Sequence, residues 1–249
     1  MSSINTHANR VAVVTGAARG IGQAISRQLG ERGAKLVLVD LEAATETASK
    51  LSASGAESLC VNADVSLPED WERIAAMTIE RFGRADILVN NAGIYPFAEF
   101  DKLTYELWSR VLRVNLDSQF LGAKALVPLM QRNGWGRIVN VSSNSIAIAA
   151  TGLSHYMASK MGAIGLTRGL ANDVAPLGVT VNAVCPALTD TPGQRSRPRA
   201  ELEAVAGLQA IKRIAQADDI VGPILFLTSD DAGFMTGQTL VVDGGMFKL

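Results

Sequence analysis

Tyr156 and Lys160 are the two residues whose types and spacing most directly suggest chemistry. They lie four positions apart in the segment 155–160, HYMASK, and a helix places such a pair on one face. A phenol has a pKa of about 10, and a neighbouring ammonium favours the phenolate and lowers that pKa. The pair therefore predicts a proton shuttle for an alcohol or ketone. The same spacing also occurs on helices without a catalytic role, so the rest of the chain must support the prediction.

A glycine-rich turn near the start of the chain is the second chemical signal. Residues 11–14 are apolar, and Gly16, Gly20 and Gly22 follow before a helical pattern that runs to residue 31. Glycines let backbone N–H groups approach a pyrophosphate, which the positive end of the next helix attracts. We expect the first two glycines to shape the turn and the third to pack the helix. An ordinary tight turn is the alternative interpretation.

The choice of dinucleotide depends on two charged residues. Asp40 ends the second predicted strand, eighteen positions beyond Gly22, where a carboxylate accepts ribose hydroxyls and repels a 2′-phosphate. Arg19 lies inside the glycine turn, where it would either pair with a 2′-phosphate or remain a solvated charge. We expect Asp40 to dominate, so NAD is the predicted cofactor and NADP is less favoured.

Strand-like and helical segments alternate along the chain, and this pattern predicts the fold. The strand-like runs cover residues 11–14, 35–39, 58–61, 86–89, 137–141, 179–184 and 239–242. The alternation predicts an α/β fold: a single doubly wound Rossmann-type domain with a seven-stranded parallel sheet. Residues 1–9 predict a loose, polar N-terminal tail. Residues 10–249 predict one domain that combines the cofactor and substrate sites.

The composition argues against several other classes of protein. The formal net charge of −1 gives no basic surface for nucleic acid. Residues 138–159 lack charged side chains, but their Asn and Ser content is too polar for a membrane span. Only His7 and His155 are present, so no histidine cluster and no catalytic metal are expected. The polar start of the chain and two cysteines predict a cytoplasmic protein without a disulfide.

Further motifs occur in a fixed order along the chain. They are Thr15-Gly16 with Gly20-Ile21-Gly22, the segment Asn62-Ala63-Asp64-Val65, the segment Asn90-Asn91-Ala92-Gly93, Asn115, and Ser143 thirteen positions before Tyr156. With these motifs the chain resembles the classical short-chain dehydrogenase/reductase family from about residue 10 to the C-terminus. That spacing favours Ser143 over Ser142 as the family serine.

The resemblance implies hydride transfer between a nicotinamide and an alcohol or ketone. It implies a catalytic set in which Ser143 holds the substrate oxygen, Tyr156 moves the proton, Lys160 tunes Tyr156 and Asn115 anchors a water beside the lysine. The implied cofactor contacts are Gly16, Arg19, Gly20, Ile21, Gly22, Asp40, Asp64, Val65, Asn91, Ala92, Gly93, Tyr156, Lys160, Pro186, Thr189 and Thr191.

One position departs from the family pattern. Ala187 follows Pro186, where the family usually has glycine. A methyl group is tolerated there if the backbone φ is negative, and it narrows the nicotinamide side of the site.

The segment after the fourth strand bears on the substrate. Tyr95 and Phe97 are predicted to face a hydrophobic, ring-bearing secondary alcohol or ketone, with simple packing as the alternative. Ser143 and Ser145 are the predicted polar substrate contacts, and His155 is expected to be a solvent-exposed or packing residue. The arginines Arg195, Arg197 and Arg199 suggest either neutralisation of an acidic substrate or a solvated loop.

Two other functions stay open. One is an NADPH-dependent 3-oxoacyl-carrier-protein reductase, against which Asp40 counts. The other is a non-catalytic dinucleotide-binding or scaffold protein on the same fold. The helical stretch 104–130 and the apolar stretch 226–249 predict a homotetramer, a prediction that the family resemblance also implies.

Overall fold

The computed structural model describes residues 5–148, 150–194 and 197–248. Its main strands are β1 (Val11–Thr15), β2 (Lys35–Asp40), β3 (Ser58–Asn62), β4 (Ile87–Asn90), β5 (Gly136–Val141), β6 (Val179–Pro186) and, last along the chain, β9 (Thr239–Val242). They form one parallel seven-stranded sheet in the order β3-β2-β1-β4-β5-β6-β9. The predicted fold class is confirmed. The two-residue strands β7 (Thr189–Asp190) and β8 (Ala215–Gln216) pair separately.

Helices connect the strands and cover both faces of the sheet. They are α1 (Gly20–Glu31), α2 (Thr45–Ala53), α3 (Pro68–Phe82), α4 (Tyr105–Leu112), α5 (Ser118–Arg132), α6 (Ser154–Val174), α7 (Arg199–Leu208) and α8 (Ala217–Leu227). A π-helical turn, Arg113–Asp117, joins α4 to α5. Among the described residues, no helix combines the length and hydropathy that crossing a membrane requires.

Alternation along each strand divides the core into two layers. In β1, Ala12 and Val14 belong to the layer that contains Ile25 of α1 and Ile224 of α8. Val11 and Val13 belong to the opposite layer, which contains Trp71 of α3, Leu126 of α5 and Val174 of α6. Successive side chains of a strand point to opposite faces, so an unbroken apolar strand is buried on both sides.

The order of the strands reverses between β1 and β4. The chain first winds outward from β1 through β2 to β3, and then returns to place β4 on the other side of β1. In a doubly wound sheet this reversal opens a crevice at the carboxyl ends of the strands. The loops after β1, β2, β4 and β5 therefore meet in one place.

The N-terminal segment corrects one prediction. Residues 1–4 lie outside the described residues, but the predicted loose tail is wrong from His7 onward. The His7 side chain is 1% exposed, and its Nε2 atom lies 3.0 Å from Thr228 Oγ1, just after α8. Its backbone N–H donates to Arg32 O. A polar residue can be buried when hydrogen bonds satisfy it, and composition alone does not reveal such distant partners.

Candidate active site

A cavity of about 1100 Å³ lies at the carboxyl ends of the strands. Of the predicted site residues, those that line it are Gly16, Arg19, Gly20, Ile21, Asp40, Asp64, Val65, Asn91, Ala92, Gly93, Tyr95, Ser143, Ser145, Tyr156, Lys160, Pro186, Thr189 and Thr191. The structure thus brings together residues that are up to 175 positions apart. Gly22, Phe97 and Asn115 do not line the cavity.

The glycine turn is shaped by backbone conformation and close packing. Gly16 and Gly20 have φ values of +65° and +62°, a region that side chains disfavour. A Cβ atom at Gly22 would overlap the carbonyl oxygen of Gly16, so the third glycine packs the start of α1 against the turn. Asn91 Nδ2 donates to Thr15 O at 2.9 Å and to Gly16 O at 3.2 Å. These bonds tie the turn to the end of β4.

Acidic side chains dominate the end of the cavity beside β2. Asp40 accepts hydrogen bonds from the backbone N–H groups of Ala18, at 2.9 Å, and Glu42, at 3.1 Å. The Nη1 atom of Arg19 lies 3.2 Å from Glu42 Oε2, and all three charged side chains line the cavity. The arginine charge is therefore already paired with a carboxylate, and Asp40 adds a second negative charge at the same end.

Asp64 and Val65 follow β3 and form the adjoining wall. Asp64 Oδ1 accepts hydrogen bonds from Ser66 N at 2.9 Å and from Ser66 Oγ at 2.7 Å. Asp64 N donates to Asp70 Oδ2 at 2.7 Å. This local network fixes the loop between β3 and α3, so Asp64 and Val65 present a stable surface to the cavity.

Lys160 is anchored to the sheet. Its Nζ atom donates a 2.8 Å hydrogen bond to Val141 O, at the end of β5, and its side chain is almost fully buried. Burial lowers the pKa of Lys160 to about 8, because a desolvated ammonium is less stable than a hydrated one. This lysine can therefore exchange a proton close to neutral pH.

Tyr156 lies beside Lys160 on α6, with the lysine nitrogen 5.8 Å from the centre of the phenol ring. Burial raises the pKa of Tyr156, and a hydrogen bond with Ser143 partly offsets that rise. Lys160 is not among the influences on the pKa of Tyr156 in the protein alone, so its lowering of this pKa stays a prediction for the cofactor-bound state. Desolvation is the largest influence on this pKa, because a buried phenolate loses its hydration.

Ser143 and Ser145 follow β5 at the start of a 3₁₀ turn. Ser143 Oγ accepts a 3.1 Å hydrogen bond from Ser145 N, which orients the serine beside Tyr156. Ser145 is 7% exposed, and its Oγ atom has no hydrogen-bond partner within the described part of the chain. An unsatisfied buried hydroxyl is costly. Since Ser145 lines the cavity, a bound molecule is the natural partner for it.

Asn115 lies behind the cavity and connects Ile94 with Ser159. Its Oδ1 atom accepts a 2.8 Å hydrogen bond from Ile94 N, and its Nδ2 atom donates to Ile94 O at 2.9 Å and to Ser159 Oγ at 3.1 Å. The π-helical turn positions this side chain between the loop after β4 and helix α6. A Cβ atom at Gly93 would lie 3.3 Å from Asn115 Oδ1 and 3.4 Å from Lys160 Nζ, so this glycine allows the close approach.

Two aromatic residues after β4 have different positions. Tyr95 lines the cavity, and its ring meets that of Tyr156 edge to face with centroids 6.2 Å apart. Phe97 is 63% exposed and packs over Gly152, outside the cavity. Phe97 therefore does not reach the cavity in this structure, and its substrate contact stays a prediction. Residues two apart in an irregular loop have no periodicity that would separate them.

His155 is buried, as the packing interpretation expected. The ring atom Nε2 lies 2.9 Å from Pro96 O, and the side chain is fully inaccessible. This contact fastens the loop that carries Tyr95 to the first turn of α6. In the sequence, the only sign of this contact is that His155 directly precedes Tyr156.

The segment after β6 closes the side of the cavity that faces Gly20. Ala187 is not among the residues with positive φ, so its methyl group is accommodated without strain. Thr189 Oγ1 donates to Ala187 O at 2.9 Å. A Cβ atom at Gly20 would lie 3.4 Å from Thr191 Cβ. The second glycine thus leaves space between the turn and Thr191.

The far end of the cavity is largely apolar. Its lining residues include Ile94, Ile148, Leu153, Pro192, Gln194, Arg197, Val205, Leu208 and Met246. Val205 and Leu208 come from α7, and Met246 comes from the end of the chain. Within the described residues, no group of three or more His, Cys, Asp or Glu side chains could hold a metal ion.

Comparisons with known proteins agree with this arrangement. A family model described as enoyl-(acyl carrier protein) reductase matches residues 16–247. The chain is 40% identical to cis-4-hydroxycyclohexanecarboxylate dehydrogenase from Sinomonas cyclohexanicum over 96% of each protein. It is 38% identical to the 3-oxoacyl-[acyl-carrier-protein] reductase FabG from Pseudomonas aeruginosa, over 96% of this chain and 97% of the relative.

A solved structure extends the comparison to three dimensions. It comes from Sinorhizobium meliloti 1021 and is described provisionally as a short-chain alcohol dehydrogenase. The two proteins share 31% identity over 98% of each chain, with a TM-score of 0.93. With the glycine turn, Ser143, Tyr156 and Lys160 gathered at one cavity, these matches show that the chain belongs to the short-chain dehydrogenase/reductase family of oxidoreductases.

Proposed function

We propose that the protein is an NAD-dependent oxidoreductase that transfers a hydride between nicotinamide and a hydrophobic, ring-bearing secondary alcohol or ketone. The observation that carries this proposal is the meeting of Ser143, Tyr156 and Lys160 in the same cavity as the glycine turn. Hydride transfer requires a dinucleotide site and a proton-transfer group within reach of one substrate. The cavity offers both.

The cavity fits a nicotinamide dinucleotide in shape and in chemistry. The positive φ of Gly16 and Gly20 and the start of α1 form a cradle for a pyrophosphate. Asp40 would hold the adenosine ribose, Asp64 and Val65 the adenine, and Pro186, Thr189 and Thr191 the nicotinamide. The cofactor would accept or donate the hydride at C4 of its nicotinamide ring.

The protein's own residues would manage the proton and orient the substrate. Ser143 would donate a hydrogen bond to the substrate oxygen, and Tyr156 would take the hydroxyl proton during oxidation or return it during reduction. Lys160, with a pKa of about 8, would pass that proton onward near neutral pH. Asn115 supports this set by holding Ile94 and Ser159 on either side of it.

The preference for NAD rests on the charges beside β2. Arg19 is the cation in the turn that could attract a 2′-phosphate, but it is paired with Glu42. Asp40 places a further carboxylate there, and a phosphate dianion would meet net negative charge. Ribose hydroxyls, in contrast, can donate hydrogen bonds to Asp40.

The substrate class is supported by the lining of the far end of the cavity. Aliphatic side chains dominate it, and Tyr95 adds an aromatic ring beside Tyr156. A flat or alicyclic ring would bury apolar surface there. We also infer a resemblance to 1-phenylethanol dehydrogenase from residues 90–96 and 133–137, His155 before Tyr156 and the Gly244-Gly245-Met246 ending. Pyridoxal 4-dehydrogenase is a second enzyme that we infer to be similar. Cis-4-hydroxycyclohexanecarboxylate dehydrogenase, whose name specifies a ring-bearing alcohol, is a relative.

A 3-oxoacyl-carrier-protein reductase is the second candidate function. The similarity to FabG from Pseudomonas aeruginosa favours it. The acidic ribose end of the cavity disfavours it, since this candidate requires NADPH, and the formal net charge of −1 gives little support to an extensive basic docking surface. A non-catalytic binding protein is the third candidate, and the intact set of Asn115, Ser143, Tyr156 and Lys160 argues against it.

Steady-state kinetics separate the three candidates. Nicotinamide absorbance would be followed with NAD and NADP against aromatic and alicyclic secondary alcohols, sugars and acyl thioesters. We expect the highest kcat/KM with NAD and ring-bearing alcohols. Tyr156→Phe should lower turnover by at least about 1000-fold while NADH fluorescence still reports binding. The best kcat/KM with NADPH and acyl thioesters would establish the second candidate, and no turnover with any pair would favour the third.

We also propose a cytoplasmic homotetramer. Tyr105 and Phe120 are 78% and 52% exposed on α4 and α5, and Phe234, between α8 and β9, is completely exposed. Two separated apolar surfaces can generate two interfaces, as paired dimers require. Met246 and Phe247 are half-buried within the chain, and Asn144 Nδ2 lies 3.4 Å from Met246 Sδ. The interface therefore depends more on Phe234 than on the C-terminal tail, whose last residue, Leu249, lies outside the described residues.

A further inference from the structure

Arg197 is a cavity-lining arginine without a carboxylate partner in the described part of the chain. It lies between the 3₁₀ turn Pro192–Gln194 and helix α7, and it is half-buried. Its backbone N–H donates to Gln194 O at 2.9 Å. Its guanidinium forms no ion pair with any other residue in the described ranges 5–148, 150–194 and 197–248. Arg199, two positions on, is paired with both Asp190 and Glu203. The two neighbouring arginines thus have different surroundings.

The segment just before Arg197 packs against Tyr95, since a Cβ atom at Gly193 would overlap the hydroxyl oxygen of Tyr95. Burial raises the pKa of Tyr95, and the Arg197 charge is the largest influence opposing that rise, ahead of Arg19. Tyr95 in turn meets the ring of Tyr156, with centroids 6.2 Å apart. A substrate whose reacting oxygen lies at Ser143 and Tyr156 would therefore extend past Tyr95 toward a guanidinium.

The other arginines that line the cavity have different positions. Arg19 is paired with Glu42 at the ribose end. Arg110 and Arg113 come from α4 and the π-helical turn, outside the segment that packs against Tyr95. Arg197 is therefore the arginine best placed to contact the substrate.

We propose that the substrate is a ring-bearing secondary alcohol or ketone that carries a carboxylate remote from the reacting carbon, and that Arg197 binds this carboxylate. This inference rests on the proposed function and names the substrate class more closely. A guanidinium presents two parallel N–H donors that match one carboxylate. The ring would lie among the apolar side chains and against Tyr95, and the hydroxyl of Ser145 would complete the polar contacts near the reacting end.

Matched substrates and variants test the proposal. The acid is 4-(1-hydroxyethyl)benzoate, and 4-(1-hydroxyethyl)benzamide is a neutral substrate of nearly the same shape. The measured quantity is the ratio of kcat/KM for the acid to kcat/KM for the amide. We expect a wild-type ratio above one and a fall of at least about tenfold in Arg197→Met, since hydrogen bonds to charged groups are worth at least this factor. Arg197→Lys should retain part of the preference.

Two control variants separate direct contact from a general electrostatic effect. Arg199→Met removes a nearby positive charge outside the cavity lining, and Arg110→Met removes one from a different element of the lining. Both should keep the wild-type ratio. Thermal melting of each variant, with and without NADH, checks that folding and cofactor binding are retained.

A binding measurement gives a readout independent of turnover. In this calorimetric experiment, 4-ethylbenzoate is titrated into the protein that already contains NADH. We expect Arg197→Met to weaken the binding of 4-ethylbenzoate by at least about tenfold. The binding of 4-ethylbenzamide should not change in this variant. A wild-type ratio at or below one, or an equal fall in Arg110→Met and Arg197→Met, would overturn the inference. If neither alcohol reacted with either dinucleotide and the broader substrate panel also failed, the proposed function itself would be refuted.

Discussion

The ammonium of Lys160 is bonded to the carbonyl oxygen of Val141, at 2.8 Å, rather than to the phenol of Tyr156. The lysine thus joins helix α6 to the end of strand β5. Its other two N–H donors remain for the cavity. The sheet therefore fixes the position of Tyr156 relative to Ser143.

Alcohol oxidation should accelerate as the pH rises. Burial raises the pKa of Tyr156, so the phenol is protonated at neutral pH and the proton-accepting form becomes populated only at higher pH. Carbonyl reduction uses the protonated phenol and should remain steady through neutral pH before it declines. Measurement of kcat/KM in both directions from pH 6 to 10 checks this prediction. An oxidation rate that falls steadily over that interval would contradict the role of Tyr156 as the base.

Asp40→Ala should relax the preference for NAD. The substitution removes a carboxylate that repels a 2′-phosphate and also removes the hydrogen bond to Ala18 N. We expect the ratio of kcat/KM for NAD to that for NADP to fall by at least about tenfold, because close charges contribute on the order of 1–4 kcal/mol near a protein surface. Glu42→Gln, which releases Arg19, should shift the ratio in the same direction but less. A wild-type preference for NADP would contradict the assignment.

Tyr95 and Phe97 offer a matched pair of aromatic residues. Tyr95→Ala should raise the KM for ring-bearing substrates by about tenfold, because one wall of the cavity is lost. Phe97→Ala should leave this KM within about twofold, since Phe97 packs over Gly152 outside the cavity. Steady-state kinetics measure this KM for both variants. Equal effects would show that Phe97 moves into the site when substrate binds.

The stability of the fold should decrease as the pH falls below neutrality, partly because of His7. Burial lowers the pKa of His7 to about 4, whereas the unfolded chain has a histidine pKa of about 6.5. The unfolded state therefore takes up protons first, and about 2 kcal/mol should be lost between pH 7 and pH 5. Urea unfolding at the two pH values measures this loss. His7→Gln should be less stable than the wild type at pH 7, but it should lose less free energy of unfolding between pH 7 and pH 5. Equal losses in the variant and the wild type would contradict the prediction.

Light scattering at micromolar concentration should give the mass of four chains. Phe234→Glu places a charge on a completely exposed apolar side chain and should reduce the measured mass, because an unpaired charge is costly inside an interface. Leu67→Glu, at the start of α3, is the control and should leave the mass unchanged. A wild-type mass of one chain would refute the oligomer.

The fold, and the residues that meet at the cavity, can be predicted from sequence because their signals are local. Buried parallel strands are short apolar runs, and the glycine turn and the Tyr156–Lys160 pair are defined by spacings of a few residues. Long-range contacts are not accessible in this way. The bond between His7 and Thr228 spans 221 positions, and Met246 reaches the cavity from the end of the chain. The difference between Tyr95 and Phe97 likewise depends on the path of an irregular loop.

Helix α1, which begins in the dinucleotide turn, packs on the same face of the sheet as α8, and Arg27 of α1 pairs with Asp218 of α8. Gly20 and Ala217, the first residues of these helices, are 197 positions apart. At a synthesis rate of about 5–20 residues per second, roughly 10–40 seconds separate their emergence from the ribosome. During that interval the part of α1 that packs on α8 lacks its partner. We therefore expect the nascent chain to need protection by chaperones, and a translation product that stops before α8 to be degraded rather than to persist as a dinucleotide-binding fragment.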